Sequence, residues 1–455
     1  MYQLTPFSSL LLFTYFLLPL PSSIARADWP EFRGPNQNGT ITLPANATVK
    51  LPLEWADEDP AANSPSKNIL WKTPTTGLGW SSPVIVEKNI YITSARPASA
   101  NADPKDLSGP QSLYVSCYNL ADGTLLFDKK IFEQPQDAPA IHKKNSHASP
   151  TILAHRPPNS RLTRLYVHFG HQGTACLSTQ GDILWTNTEH NYPPVHGNGS
   201  SPIAHQDKII LTIDGAESPY TLALDAMTGK EAWKTPRNVT TDRSFSFATA
   251  QSIEVNGKTQ IISPGADIVQ ALDPVSGNVL WFVRYSGYSL IVRPIYHQGL
   301  VFISTGYNTP KLLAIDPTGQ GDVTDSHVRW TTSSGVPNTP SLTPMNNQII
   351  MVSDGGVATG LKASDGTKLW QKRLGGNFSA SPLAIGNRIY FQNEAGEAII
   401  MELPADENSP ENTPPTELAR NTLPGRAFAS YAVDQDDLII RTEHALYRIS
   451  NSTTP

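Results

Sequence analysis

A short hairpin, TLALDAMTGKEAW from Thr221 to Trp233, recurs along the chain and restricts what it can fold into. Leu222 and Leu224 alternate with small or polar residues, the period of two that marks a half-buried strand. Gly229 supplies the backbone freedom of a tight antiparallel turn. The copies align on a glycine followed four residues later by an aromatic: Gly123–Phe127, Gly181–Trp185, Gly229–Trp233, Gly277–Trp281 and Gly366–Trp370, with Trp330 ending a longer version. From Trp185 to Trp370 the terminal tryptophans step by 48, 48, 49 and 40 residues. Strands repeating at that spacing, with no helical period, indicate the blades of an all-β propeller. A β-sandwich does not repeat one motif at constant spacing. The terminal tryptophans, with Trp71, are expected to be structural and buried between blades.

A second signature, Ser-Pro before a hydrophobic run, opens each repeat. Its copies are Ser82, Ser149, Ser201, Arg293, Thr339 and Ser381, and the divergent Thr249 and Ser430 bring the set to eight. The count predicts eight four-stranded antiparallel blades, with seven as the fallback. Proline has no N–H for a ladder, which places this signature at the innermost edge, beside a central channel. Ile69-Leu70-Trp71 reads as a last strand without its blade, and Ser430–Ser450 as three strands without a fourth. Joining them closes the ring and removes a free edge. The expected organisation is a signal peptide over 1–27, an extended leader over 28–68 packed across the ring surface, a propeller over 69–450 with a mobile insertion at Leu403–Glu417, and a tail over 451–455.

The apolar run Leu10–Leu20 followed by Ala25-Arg26-Ala27 has the form of a secretory signal cleaved after Ala27, although no Lys or Arg precedes it. A retained anchor is the alternative, on a run short for a membrane span. A periplasmic or secreted location follows. Net charge is −6 with no basic run, which argues against nucleic acid as a partner. Cys117 and Cys176 occupy the same repeat position in neighbouring blades, a sheet spacing of ~10 Å or more apart. Both are therefore read as unpaired core residues.

At A223LDAMTGKEAW233 and A271LDPVSGNVLW281 the sequence resembles the PQQ-like, quinoprotein-type propeller repeat, over about Leu70 to Ile449. The opening DWPEFRGPNQNG, with HGNGSSP and GGNFSASP, is similar to exported planctomycete-type PQQ-like proteins of unassigned activity. The resemblance implies quinone-dependent dehydrogenases on one side and non-catalytic propellers, such as the scaffold subunit of outer-membrane assembly, on the other. The chain departs from the dehydrogenases: it has no adjacent cysteines and no C-x-x-C-H haem motif.

Loops before each blade's first strand carry Asn145, His147, His196, Asn198, Arg243, Asn338, Asn377 and Arg426. Loops between second and third strands carry His171, Asp214, Asp354, Glu394 and Glu443. Both sets open on one face as a polar funnel suited to a ligand. His147, His171, His196 and Asp214 form a candidate metal set, without a compact ligand spacing. Arg293 is the one charged member of the predicted hydroxyl ring. It needs water, an anionic ligand, or a carboxylate such as Glu394 or Asp354; an internal salt bridge pinning two blades would serve equally. Three functional readings stand: a non-catalytic exported module binding a protein, a cell-envelope ligand or an anionic small molecule; a PQQ-with-calcium or metal-dependent oxidoreductase; and a carbohydrate-active propeller. No cofactor is expected on the first.

Overall fold

The computed structural model describes residues 28–44, 47–99, 102, 106, 109–307, 309–404 and 413–451. The expected signal peptide, most of the Leu403–Glu417 insertion and most of the C-terminal tail lie outside these residues. The chain is an eight-bladed propeller of four-stranded antiparallel blades. Blade 1 runs through Val84–Val86, Asn89–Pro97, Gln111–Asn119 and Leu125–Glu133, labelled A to D from the channel outward. Blades 2 to 7 repeat this order. Blade 8 combines Ala432–Asp434, Asp437–Arg441 and Ala445–Ile449 with Ile69–Pro74 as its outermost strand. Trp71 lies opposite Arg448, so the two termini share one blade, as the orphan strands predict.

The repeated hairpin is the device that fastens each blade to the next. Gly229 has φ +72°, and a Cβ there would sit 2.5 Å from the Trp185 ring of the preceding blade. Gly123, Gly277 and Gly366 lie in the same way against Trp71, Trp233 and Trp330. Each of these four indoles donates its Nε1–H to a carbonyl of the next blade's turn: Trp71 to Leu120, Trp185 to Ala226, Trp233 to Pro274, Trp330 to Ala363. In blades 5 and 7 the corresponding turn carries an insertion. Trp281 of blade 4 and Trp370 of blade 6, which face those turns, donate instead to glutamines of their own blades, Gln260 and Gln348. Trp71, Trp233, Trp281 and Trp370 are buried, whereas Trp185 and Trp330 are only partly so, less than expected. The cores lie between blades: Tyr166 and Cys176 of blade 2 pack with Leu211, Leu222 and Leu224 of blade 3. Cys117 and Cys176 are buried and free, and face Phe127 and Trp185 at matching positions of their blades.

The leader differs from the expected surface arm. Its first part runs along the channel side of the inner strands. Trp29 bridges Ile85 of blade 1, the Pro30 carbonyl accepts from Ala154 of blade 2, and Thr40–Ile41 lie parallel to Ala384–Ile385 of blade 7. The physical reason is in the residues: Trp29 is 3% exposed, and Glu31 and Arg33 are buried among strands of several blades. Only the second part, with Leu51 and Trp55, packs over blades 7 and 8.

Two measurements test this architecture. Gly257 and Gly277 both have φ +73°, but a Cβ at Gly257 meets nothing within 4 Å, whereas one at Gly277 comes within 2.6 Å of Trp233. In urea unfolding, Gly257→Ala should lose only the left-handed backbone cost of roughly 1–2 kcal/mol, and Gly277→Ala clearly more. Equal losses would mean that the indole does not dock there. Truncation after Gly425 removes three strands of blade 8 and should abolish the cooperative thermal transition; a truncated chain that melts like the parent would contradict ring closure.

Candidate functional site

The inner wall is built on the predicted ring of hydroxyl residues, with two corrections of register. Ser82 donates its backbone N–H to Thr151 Oγ1 at 2.9 Å, Thr151 to Ser201 at 2.9 Å, and Ser201 to Thr249 at 2.9 Å. Arg293 continues to Ser341 at 3.0 Å, Ser341 to Ser381 at 2.9 Å, Ser381 to Ser430 at 2.9 Å, and Ser430 back to Ser82 at 3.1 Å. Thr151 and Ser341, not Ser149 and Thr339, are therefore the members from blades 2 and 6. Ser149 and Thr339 sit two residues earlier in each segment. Because side chains alternate in extended backbone, they face the same channel one step higher.

That higher step forms a second ring. Trp80, Phe247, Ile291 and Phe428 each stand two residues before a member of the lower ring, as do Ser149, Gly199, Thr339 and Ser379, and all eight line one funnel. The funnel has a volume of about 840 Å³, and Phe32 of the leader also lines it. Its rim is aromatic and cationic. Trp80 stacks on Phe428 with centroids 4.6 Å apart, and Arg426 lies over both rings. Across the mouth, Phe245 meets His196, Phe247 and Tyr288 within 5.6–5.9 Å, and Tyr288 meets Tyr307 at 6.1 Å. Arg243 covers Tyr288 at 4.8 Å and donates to its hydroxyl. Lys144, from the insertion before blade 2, reaches Glu394 of blade 7 at 2.9 Å.

The sequence-derived residues divide into groups. Asn145, His196, Arg243, Asn338 and Asp354 line the funnel. Glu394 borders it, accepting from Lys144 and from Ser379, and Asn377 holds the Glu394 N–H through its carbonyl. Arg426 is paired with Glu443 at 2.9 Å. Asn198 lies beneath Asn145, which donates to its carbonyl, and His147 contacts Gln134 at 2.9 Å. The four candidate metal ligands are not brought together. Asp214 is engaged through both oxygens by Arg237, at 2.6 and 2.8 Å, and the pair is buried. His171 contacts Gln172, and burial, aided by His147, pushes its pKa down to about 4. Among the described residues no group of three or more His, Cys, Asp or Glu is disposed to hold a metal ion. The carboxylates at the funnel, Asp354 and Glu394, are engaged by the Asn338 N–H and by Lys144 with Ser379.

Arg293 makes an internal salt bridge, as one of its sequence readings expects, but to the leader and not to a second blade. Its guanidinium is fully buried and bonds neither Glu394 nor Asp354. It pairs with Glu31 of the leader at 2.9 Å, donates to the Phe32 carbonyl, and donates through Nε to Ala250 O at 3.1 Å. The last contact spans the one gap in the hydroxyl belt. Burial pushes the Glu31 carboxyl up and the Arg293 guanidinium down, so desolvation opposes charge on both partners. Gln37 donates to the other Glu31 oxygen at 2.8 Å. Arg33 is also buried, donating to Thr343 Oγ1 at 2.6 Å and to the carbonyls of Asn38 and Pro382. Sequence reasoning missed the leader's role and the funnel aromatics. The signal for the aromatics was present, an aromatic two residues before the ring position in three blades.

Comparison with known proteins follows this geometry. A family model described as outer membrane protein assembly factor BamB matches residues 111–343 and 321–407. No curated protein matches the chain. Among solved structures, BamB from Moraxella catarrhalis is similar with a TM-score of 0.55 and 15% identity, covering 85% of this chain and 98% of that one. A europium-containing methanol dehydrogenase reaches 0.59 at 10% identity, covering 92% and 90%. The computationally designed Ika8 protein reaches 0.56 at 9% identity, covering 84% and 100%. These likenesses at low identity speak to the fold. With the family model matched over more than half of its length, the chain belongs to the PQQ-like β-propeller repeat family described by outer membrane protein assembly factor BamB.

Proposed function

We propose that the chain is a non-catalytic binding module of the cell envelope that docks a protein partner on its funnel face. The observation that carries this reading is the rim. Two aromatic–arginine clusters, Trp80–Phe428–Arg426 and Phe245–Tyr288–Tyr307–Arg243, face each other across one mouth. Aromatic residues and arginine are the types enriched where proteins bind proteins, since they bury large areas at low entropic cost while offering a polar tip. Tyr307 is 57% exposed and so presents its ring to a partner.

Two further points support the reading. The matching family model is described as an assembly factor of outer-membrane proteins, and one similar solved structure is itself BamB. The signal sequence expected at residues 1–27 would deliver the chain to the envelope, and no helix among the described residues is long and apolar enough to cross a membrane. Site-specific photo-crosslinking in the producing cell tests the proposal. A crosslinker at Tyr307 should capture a discrete protein, whereas one at Val275, 59% exposed on an outer turn of blade 4, should not. Capture from Val275 alone would move the docking surface off the funnel and end this reading.

A further inference from the structure

The lower ring has a property that its role in joining blades does not use. Each of its seven hydroxyls accepts a backbone N–H from the neighbouring blade. None of the seven has an acceptor for its own proton among the described residues. All seven line the funnel, and all are buried, from 1% exposed at Ser82 to 7% at Ser430. A hydroxyl that accepts one N–H keeps its O–H and can turn it toward an acceptor on the axis. The funnel floor is therefore ringed by seven hydroxyls able to donate.

Charge adds to this polarity. Arg33 and Arg293 are both buried behind the ring, and neither is itself part of the funnel lining. Arg293 is the ring's own eighth member, and Arg33 contacts Thr343 and Pro382, beside ring residues Ser341 and Ser381. Glu31 neutralises one of the two guanidiniums. The other, Arg33, has no carboxylate partner among the described residues, and its Nε and Nη1 have no hydrogen-bond partner among them although the side chain is only 1% exposed. Arg33 is held with φ +68°, a backbone conformation that L side chains rarely adopt. A buried, unpaired guanidinium costs stability unless something supplies the missing acceptors. Around the walls, Lys144 is paired with Glu394 at 2.9 Å, and Arg243 stands against the lining carboxylate Asp354, so the walls add no net charge to that of Arg33.

We propose that the funnel floor seats an oxyanion, a phosphate, sulfate or carboxylate group, held by the ring hydroxyls over the excess positive charge of Arg33. The seat rests on the funnel being the ligand-bearing face and names the chemistry of the group that enters it. A neutral polyol would satisfy the hydroxyls but leave the buried positive charge behind them unbalanced, which is why the anion is the favoured occupant.

Isothermal titration calorimetry on the purified full-length chain tests the seat without any partner protein. Sodium phosphate, sodium sulfate and sodium citrate are titrated against sodium chloride at matched ionic strength, with xylitol as the neutral probe. Saturable one-site binding of phosphate, sulfate or citrate is expected, weakened at least tenfold in Arg33→Met. Tighter binding of phosphate or sulfate identifies a tetrahedral head group; tighter binding of citrate identifies a carboxylate. Absence of saturable binding above chloride, preference for xylitol, or equal affinity in Arg33→Met overturns the proposal. Should Arg33→Met not fold, crystals of the parent soaked in the tightest-binding anion decide: density within hydrogen-bond reach of two or more ring hydroxyls is expected, and an empty floor refutes the seat. Failed crosslinking at Tyr307 would leave this titration unaffected, so the two readings fall separately.

Discussion

The structure depends on a hydrogen bond repeated around its inner wall, from a backbone N–H of one blade to a hydroxyl of the next. One such bond contributes about 1 kcal/mol, and leaving its buried N–H unmade costs roughly 1–3 kcal/mol. Seven of them in sequence lock the innermost strands in a common register. The indole contacts do the same at the outer radius, where Trp71, Trp185, Trp233 and Trp330 meet glycine turns. Each blade is thereby held at two distances from the axis, which fixes its tilt. The eighth position shows that the requirement is chemical. Arg293 has no hydroxyl, and its guanidinium takes over as a donor to Ala250 while its own N–H still reaches Ser341.

Buried charge organises the channel end of the molecule. Arg293–Glu31 and Arg237–Asp214 are both pairs from which solvent is excluded. Such pairs contribute little net stability, but removing one partner is strongly destabilising. Their effect is therefore on arrangement. Asp214 and Arg237 join the B–C loop of blade 3 to the segment after its last strand, and Arg237 continues to Ser263 of blade 4. Glu31 pins the leader to blade 5 and places Phe32 in the funnel lining.

The fold was legible because propeller physics writes itself locally. The Gly229–Trp233 spacing encodes a turn and its docking partner within five residues, and the orphan strand at Trp71 announced its pairing with Ala445–Ile449. The site was legible to a lesser depth. Loop residues such as His196 and Arg243 reach the funnel because loop order alone dictates their face. Ser149 and Thr339 were misplaced because serine-proline and threonine-proline occur two residues early in those blades, and a shift of two leaves a side chain on the same face. The leader was opaque for a different reason. Glu31, Arg33 and Trp29 make contacts with residues more than fifty positions away, across blades that share no periodic relation to them. No local pattern in DWPEFRGPNQNG states which carboxylate answers Arg293.

The leader also bears on how the molecule reaches this state. Its contacts engage inner strands of blades 1, 2, 4, 5, 6 and 7, so its seat does not exist until most of the chain has been arranged. Ile69–Pro74 likewise needs Ala445–Ile449, the last described strand in sequence order. Pairings this distant in sequence are slow, because loop entropy is lost before the contacts that offset it are gained. Closing the ring and seating the leader therefore draw on the same long-range contacts, and the leader's seat exists only where those blades stand side by side.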